Sequence, residues 1–206
     1  MRLRGGGSWY PLAKAKVCKF KYFQEISLNP TAGLCADYVF HATSIYDPDN
    51  TGTGHQPYGF DQIMAMYDHF TVLGSKIKVT AVNNTNAPIW MGIKLRDENT
   101  NLTGMDLQDF QEQPGTKKKL IGWQTSGSSK GVLTLGCGQA KFLGLTKQAL
   151  MADTSRRGDT SSNPADGLFF HVMIAPQSVD DLSGQIFAVE IEYTAALTEP
   201  HVLGKS

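Results

Sequence analysis

Along most of the chain, apolar and polar residues alternate one for one, the period of a strand rather than of a helix. In Lys76-Ile77-Lys78-Val79-Thr80-Ala81-Val82 the odd positions are apolar and most even ones polar. Ile89, Met91, Ile93 and Leu95 alternate with Trp90, Gly92, Lys94 and Arg96. Near the end, Phe187, Val189, Ile191 and Tyr193 alternate with Ala188, Glu190, Glu192 and Thr194. Each such row puts one face in a core and the other toward water or a partner. Leu168, Phe170, Val172 and Ile174 form a further row. Its opposite face, with Phe169 and Met173, is apolar too, so this strand is expected to be covered on both sides. The pattern predicts eight strands, over 15–28, 36–44, 71–82, 89–96, 116–122, 131–142, 168–175 and 185–196. Turn-forming clusters at 29–33, 47–54, 83–88, 113–115 and 161–167 separate them.

One stretch breaks the period. Ile63, Met66, Tyr67 and Phe70 fall at i, i+3, i+4 and i+7 after Asp61, a good N-cap residue. That spacing predicts a helix of about three turns between the second and third strands. Weaker helical turns are predicted over 103–110 and 146–151. The expected fold is all-β: an eight-stranded antiparallel jelly-roll sandwich with long loops and one short inserted helix. The expected organisation is a basic, Gly-rich arm over 1–13, the sandwich over 14–198 and a tail over 199–206.

Composition agrees with this reading. Of 206 residues, 41% are hydrophobic, enough for a core, and 21 are glycine, as a turn-rich β fold requires. No apolar run is long enough to span a bilayer as a helix, so membrane insertion is not expected. The start, Met-Arg-Leu-Arg-Gly-Gly-Gly-Ser, has no apolar segment of the secretory kind. Cys18, Cys35 and Cys137 form no C-x-x-C pair, and their odd number argues for reduced core residues.

The formal net charge of zero conceals an asymmetry. Residues 1–24 hold Arg2, Arg4, Lys14, Lys16, Lys19 and Lys21 and no acid; the remaining 13 bases face 19 acids. A basic end on a mildly acidic body points to an anionic partner. The lysines are interleaved with Trp9, Tyr10, Phe20 and Tyr22, and rings beside ammonium groups suit unpaired bases and phosphates. Lys117, Lys118 and Lys119 form a second basic run. Set against this is a plainer role, lysines guarding a strand edge from aggregation.

Motifs for catalysis and metal binding are weak. Gly127-Ser128-Ser129-Lys130-Gly131 matches the letters of G-x-S-x-G, but a nucleophile elbow needs a strand before it and a helix after it. Here a Gly/Ser turn leads into a strand. Asp47-Pro48-Asp49-Asn50-Thr51-Gly52 starts like a calcium loop, yet its twelfth position is Tyr58. His41, His55, His69, His171 and His201 show no zinc spacing. Asn83-Asn84-Thr85 and Asn101-Leu102-Thr103 match the glycosylation pattern but read as turns. No catalytic residue, metal or cofactor is therefore expected. Trp9, Trp90 and Trp123 are candidates for subunit contacts, since Trp is enriched at interface hot spots; the alternative is that each fills a core gap.

His55-Gln56-Pro57-Tyr58-Gly59-Phe60-Asp61-Gln62, followed by Met66-Tyr67-Asp68-His69-Phe70-Thr71-Val72-Leu73-Gly74-Ser75-Lys76-Ile77-Lys78-Val79, resembles a segment of known viral proteins. The match is to "P-x-G-F-D-Q … Y-x-x-Y/F-x-V-x-G-S-x-I" in capsid proteins of circovirus-like viruses with small circular single-stranded DNA genomes (the CRESS-DNA group). Lys141-Phe142-Leu143-Gly144-Leu145-Thr146-Lys147, Asn163-Pro164-Ala165, Phe169-Phe170-His171-Val172 and Thr198-Glu199-Pro200 agree in order, so the resemblance spans most of 15–200. It implies a jelly-roll subunit that self-assembles into a small icosahedral shell, T=1 with 60 copies, around single-stranded DNA. It implies residence in the virion, with host nucleus and cytoplasm as places of assembly, and a host receptor it does not name. Residues 59–79 become a structural element rather than a catalytic site. Family members carry a long Arg-rich N-terminal arm; this sequence departs there, with only Met1-Arg2-Leu3-Arg4-Gly5-Gly6-Gly7 in that position. Two other classes stay open on the residues alone: a sandwich binding module forming a small oligomer, lectin-like or nucleic-acid-binding, and a cupin-type enzyme, which would need clustered metal ligands.

Overall fold

A computed structural model describes residues 12–178 and 181–202. Eight strands are present: β1 Ala15–Leu28, β2 Ala36–His41, β3 Tyr67–Val82, β4 Ile89–Arg96, β5 Lys117–Ile121, β6 Lys130–Gly138, β7 Phe169–Pro176 and β8 Gln185–Pro200. They form two four-stranded sheets, in the orders β1-β8-β3-β6 and β2-β7-β4-β5, with every pairing antiparallel. Consecutive strands thus mostly fall in opposite sheets, and the eight together make the jelly-roll sandwich that the alternation predicts. Phe20, Tyr22, Ile77, Val79, Val189 and Ile191 from the first sheet meet Phe40, Ile89, Ile93, Phe170, Val172 and Ile174 from the second in one core. Among the described residues no helix is long and apolar enough to cross a membrane.

The inserted helix is shorter than the spacing predicts. α1 covers only Phe60–Met64, and its N-cap is Gly59 at φ 80, not Asp61. Tyr67 and Phe70 belong instead to β3. Two partners outbid the helix there. Tyr67 and His69 pair with Pro200 and Thr198 of β8, and Phe70 exchanges both backbone hydrogen bonds with Gly158, at 2.9 and 3.0 Å. Thr71 and Val72, β-branched, favour the extended form as well. The register then shifts: Val72 faces Ala195, Gly74 faces Thr194, and Leu73 is an extra residue between them. This bulge changes which parity faces the core, from Phe70 and Val72 before it to Ser75, Ile77 and Val79 after it. Gly74 is required beside it, because a Cβ there would lie 2.9 Å from the Cys137 carbonyl oxygen.

The two weaker helical turns exist as α2, Leu107–Glu112, and α4, Lys147–Ala152. Asp106 and Thr146 cap them, accepting from the Asp109 and Ala149 amides at 2.7 and 3.1 Å. Between β6 and α4 lies α3, Gln139–Phe142, where the sequence predicts the end of a strand. Gly136 and Gly138 supply little strand propensity, so the pairing with β3 stops at Gly138.

The outer faces of the two sheets are treated differently. Every residue of β7 is buried, as its two apolar faces predict. The cover is the segment 97–116, whose Phe110 packs with Cys35, Met173 and Ala175, joined by Trp90, Leu102, Met105 and Leu107. Gly92 makes room for it, since a Cβ there would lie 2.9 Å from the Phe110 ring. Among the described residues no such cover lies on the middle of the first sheet, where outward residues of β1, β3, β6 and β8 are mainly exposed. The three cysteines carry free thiols; burial pushes those of Cys35 and Cys137 up to about 12, and Cys18 is half-buried.

Candidate functional site

The face of the first sheet left open by the described residues is an ordered surface with charge on it. The register places its outward side chains in rows across the four strands. One row runs Lys19, Thr194, Gly74, Gly138; the next Lys21, Glu192, Lys76, Gly136; the next Phe23, Glu190, Lys78, Thr134. Beyond them come Glu25, Ala188, Thr80, Val132 and then Ser27, Ile186, Val82, Lys130. Gly74, Gly136 and Gly138 therefore leave one end of the face without side chains, flanked by Lys19, Lys21 and Lys76. A groove of about 460 Å³ lies over that end. Glu190 is the electrostatic centre, 2.7 Å from Lys78 and 3.0 Å from Lys21. The Lys78 hydrogen bond, then the Lys21 one, hold its carboxyl below the ordinary range, and Glu190 in turn raises Lys21.

The structure divides the sequence candidates. Lys14, Lys16, Lys19 and Lys21 are all exposed. Strand alternation puts Lys19 and Lys21 on the open face but points Lys16 to the other side of β1. Phe20 and Tyr22, expected beside the lysines as stacking rings, face the core at 4% and 0% exposure. Correcting that reading leaves Phe23 as the exposed ring on this face, half a strand period away. Lys117 and Lys118 serve the fold: Lys117 Nζ donates to the Thr134 carbonyl at 2.9 Å. Lys118 donates to the Gln111 carbonyl and sits 5.7 Å from the centre of the Phe110 ring. Lys119 is exposed on the same short strand. Trp90 is half-buried beside Phe110 and donates to Gln177. Trp123 is 47% exposed in the turn between β5 and β6. Arg2, Arg4 and Trp9 lie outside the described residues.

The motifs with catalytic or metal associations have other work. Ser129 lies in a turn running into β6, and its carbonyl accepts from the Asn83 amide at 2.8 Å. Asp49 is buried, and its carboxylate accepts from Gln24, Tyr38 and Thr51, four bonds of 2.7–2.9 Å. Those bonds hold it below the ordinary carboxylate range against the opposing effect of burial. They tie the 47–54 turn to β1 and β2 and leave no lone pair free for an ion. Among the described residues no three His, Cys, Asp or Glu side chains are grouped to hold a metal.

Two histidines carry more structure than their scattered positions suggest. His171 and Asp37 are fully buried beneath the 97–116 cover, with Nδ1 2.7 Å from Asp37 Oδ2. The other ring nitrogen, Nε2, lies 2.9 Å from the Glu98 carbonyl oxygen. A carbonyl only accepts, so Nε2 carries a proton. Asp37 also accepts from the Leu102 amide at 2.9 Å, so the pair fastens the cover to β2 and β7. Nothing in the local sequence signals it, because the two residues lie 134 positions apart.

His41 lies at the end of β2 against the Phe169 ring, 4.8 Å away between centres. Burial pushes its imidazole down from 6.5 to about 4, and Asp49 only partly offsets this. The unfolded chain therefore takes up a proton between pH 6.5 and 4 that the folded chain refuses. Stability is expected to fall as pH drops through that window and to be level above it, by about 3 kcal/mol at most. Denaturant midpoints measured against pH check this, and His41→Leu should flatten that limb.

No family model matches the chain, and no curated protein sequence matches it. Solved structures do share its shape. A chain of the empty head of turnip yellow mosaic virus is 11% identical, with 100% of this chain and 93% of that one covered at a TM-score of 0.50. A chain of mud crab tombus-like virus is 9% identical, with 97% and 96% covered at 0.50. The decameric BFDV capsid protein is 9% identical, with 89% and 99% covered at 0.48. At such identities the first two establish a shared fold.

Proposed function

We propose that this chain is a viral coat subunit, which assembles with copies of itself into a small shell, T=1 with 60 copies, around a circular single-stranded DNA genome. The observation that carries the reading is the unequal treatment of the two sheets. Among the described residues, the second is sealed by its own loop and the first is left open, with five lysines on its outward rows against three glutamates. A subunit with a basic side and a closed side suits a container for a polyanion. The jelly-roll fold, shared with chains from virus particles, and the resemblance of residues 59–79 to circovirus-like capsid proteins support it. In this role Lys19 and Lys21 contact phosphates on the open face, Lys14 and Lys16 are proposed as further contacts away from it, Arg2 and Arg4 as others, and Lys119 is the member of the second run left free to do so. Trp123 is the exposed tryptophan for a subunit contact. The virion is the place of action; assembly in nucleus or cytoplasm rests on the resemblance alone.

Negative-stain microscopy of the purified chain is expected to show uniform small spherical particles. A strictly monomeric protein across salt and pH would overturn the reading. Replacing Lys14, Lys16, Lys19 and Lys21 by Ser is expected to lower the nucleic-acid absorbance that co-purifies with the particles. An unchanged ratio would place the contact elsewhere.

A further inference from the structure

The far half of the open face carries large exposed apolar side chains among its charged and polar ones. Ile186 is 59% exposed, Phe23 48%, Val82 46% and Val132 38%, all in its last three rows. Ala188 and Thr80 sit between them. Large apolar side chains exposed together on one sheet face suit a contact surface.

The pattern across the two central strands identifies the partner. Outward residues of β8 and β3 stand side by side as Glu192 with Lys76, Glu190 with Lys78, and Ala188 with Thr80. Extended by one residue beyond the last pair, Ala81 with Phe187, the same register sets Ile186 beside Val82. A two-fold axis lying in the face, along the strands and between β8 and β3, exchanges the two members of every pair. Each Glu192 then meets the other copy's Lys76, each Glu190 a Lys78, and each Ile186 a Val82. At the sides, Phe23 of β1 comes over Thr134 of β6, and Glu25 over Val132 close to Lys130. No like charges are opposed. The face is complementary to itself, which is what an isologous contact demands.

We propose that two copies of this chain pair face to face through the outer surface of the first sheet about this axis. Four strands and five rows span roughly 19 by 34 Å, about 650 Å² on each copy, close to a standard-size interface. Packing sheet on sheet at aligned strand directions is an ordinary arrangement. The pairing concerns the unassembled chain and does not rest on the shell reading. A face closed against a second copy is shut to nucleic acid, so the two uses of it alternate.

Charge exchange tests the geometry. One variant carries Lys76→Glu with Lys78→Glu; the other carries Glu190→Lys with Glu192→Lys. Light scattering on the unassembled fraction is expected to give twice the single-chain mass for the original chain and the single-chain mass for each variant alone. Mixing the variants in equal amounts should restore the doubled mass, since an acidic face then meets a basic one. Ile186→Ser should also halve the mass, and unchanged circular dichroism in all variants shows that the fold is intact. An original chain that never shows the doubled mass overturns the proposal. So does a mixture that stays at the single-chain mass, or variants that pair as well as the original.

Discussion

His171→Leu is expected to lower the stability of the fold by about 1–3 kcal/mol, the cost of leaving buried hydrogen-bonding groups without their partner. Both side chains are fully buried, so no water replaces the lost imidazole. The damage should concentrate in the 97–116 cover. Asp37 would keep its bond to the Leu102 amide, but the Glu98 carbonyl would lose its donor. Amide exchange should therefore quicken at Leu102 and Thr103 before it does in the central strands. Adding Asp37→Leu to the variant removes the stranded carboxylate and should recover part of the loss. A single variant as stable as the original in denaturant titration would show that the pair contributes nothing.

Phe70→Ala is expected to cost about 3–5 kcal/mol, through a cavity in place of a bonding partner. The ring is fully buried and meets Phe60 edge-on, with centres 6.0 Å apart. Its outer end also lies against Gly158, where an added Cβ would come within 2.3 Å of the ring. Phe70 therefore fixes three pieces at once: the start of β3, the α1 turn and the loop that crosses at Gly158. Gly158→Val tests the same contact from the other side, by overfilling it, and should destabilise through displacement of the ring. Thermal unfolding of both variants checks the prediction, and an unchanged midpoint for Phe70→Ala would contradict it.

The long strands were legible because much of β1, β3 and β8 alternates with a period of two set by burial, and β7 announced its second covering by being apolar on both faces. The α1 region misled because spacing cannot distinguish one helical face from a short helix followed by a strand. Ile63 lies on the helix, Met66 in the turn after it, and Tyr67 and Phe70 on the strand. What decided the matter was pairing with Thr198 and Gly158, both distant in the chain. The candidate surface was half legible. The basic excess before Glu25 drew attention to β1, and the alternation of β3 and β8 exposed their lysines and glutamates. Which lysines share a face depends on strand phase, and that assigned Lys19 and Lys21 to the open side and turned Phe20 and Tyr22 inward. The His171–Asp37 pair and the saturated Asp49 were not legible at all, since their partners are supplied by folding.

The extra residue at Leu73 has a consequence for how the chain finds its alignment. β3 and β8 are 16 residues each, and a long regular ladder with side chains alternating every second position can slide by two and still look correct. With a bulge in the middle, a slide of two misplaces one half whenever it satisfies the other. Only a glycine at 74 clears the Cys137 carbonyl of β6, and the parity change after Val72 matches one setting of β8. The strand thus carries its own vernier mark: loops at either end are free to lengthen or shorten over evolution, while the central pairing returns to the same notch.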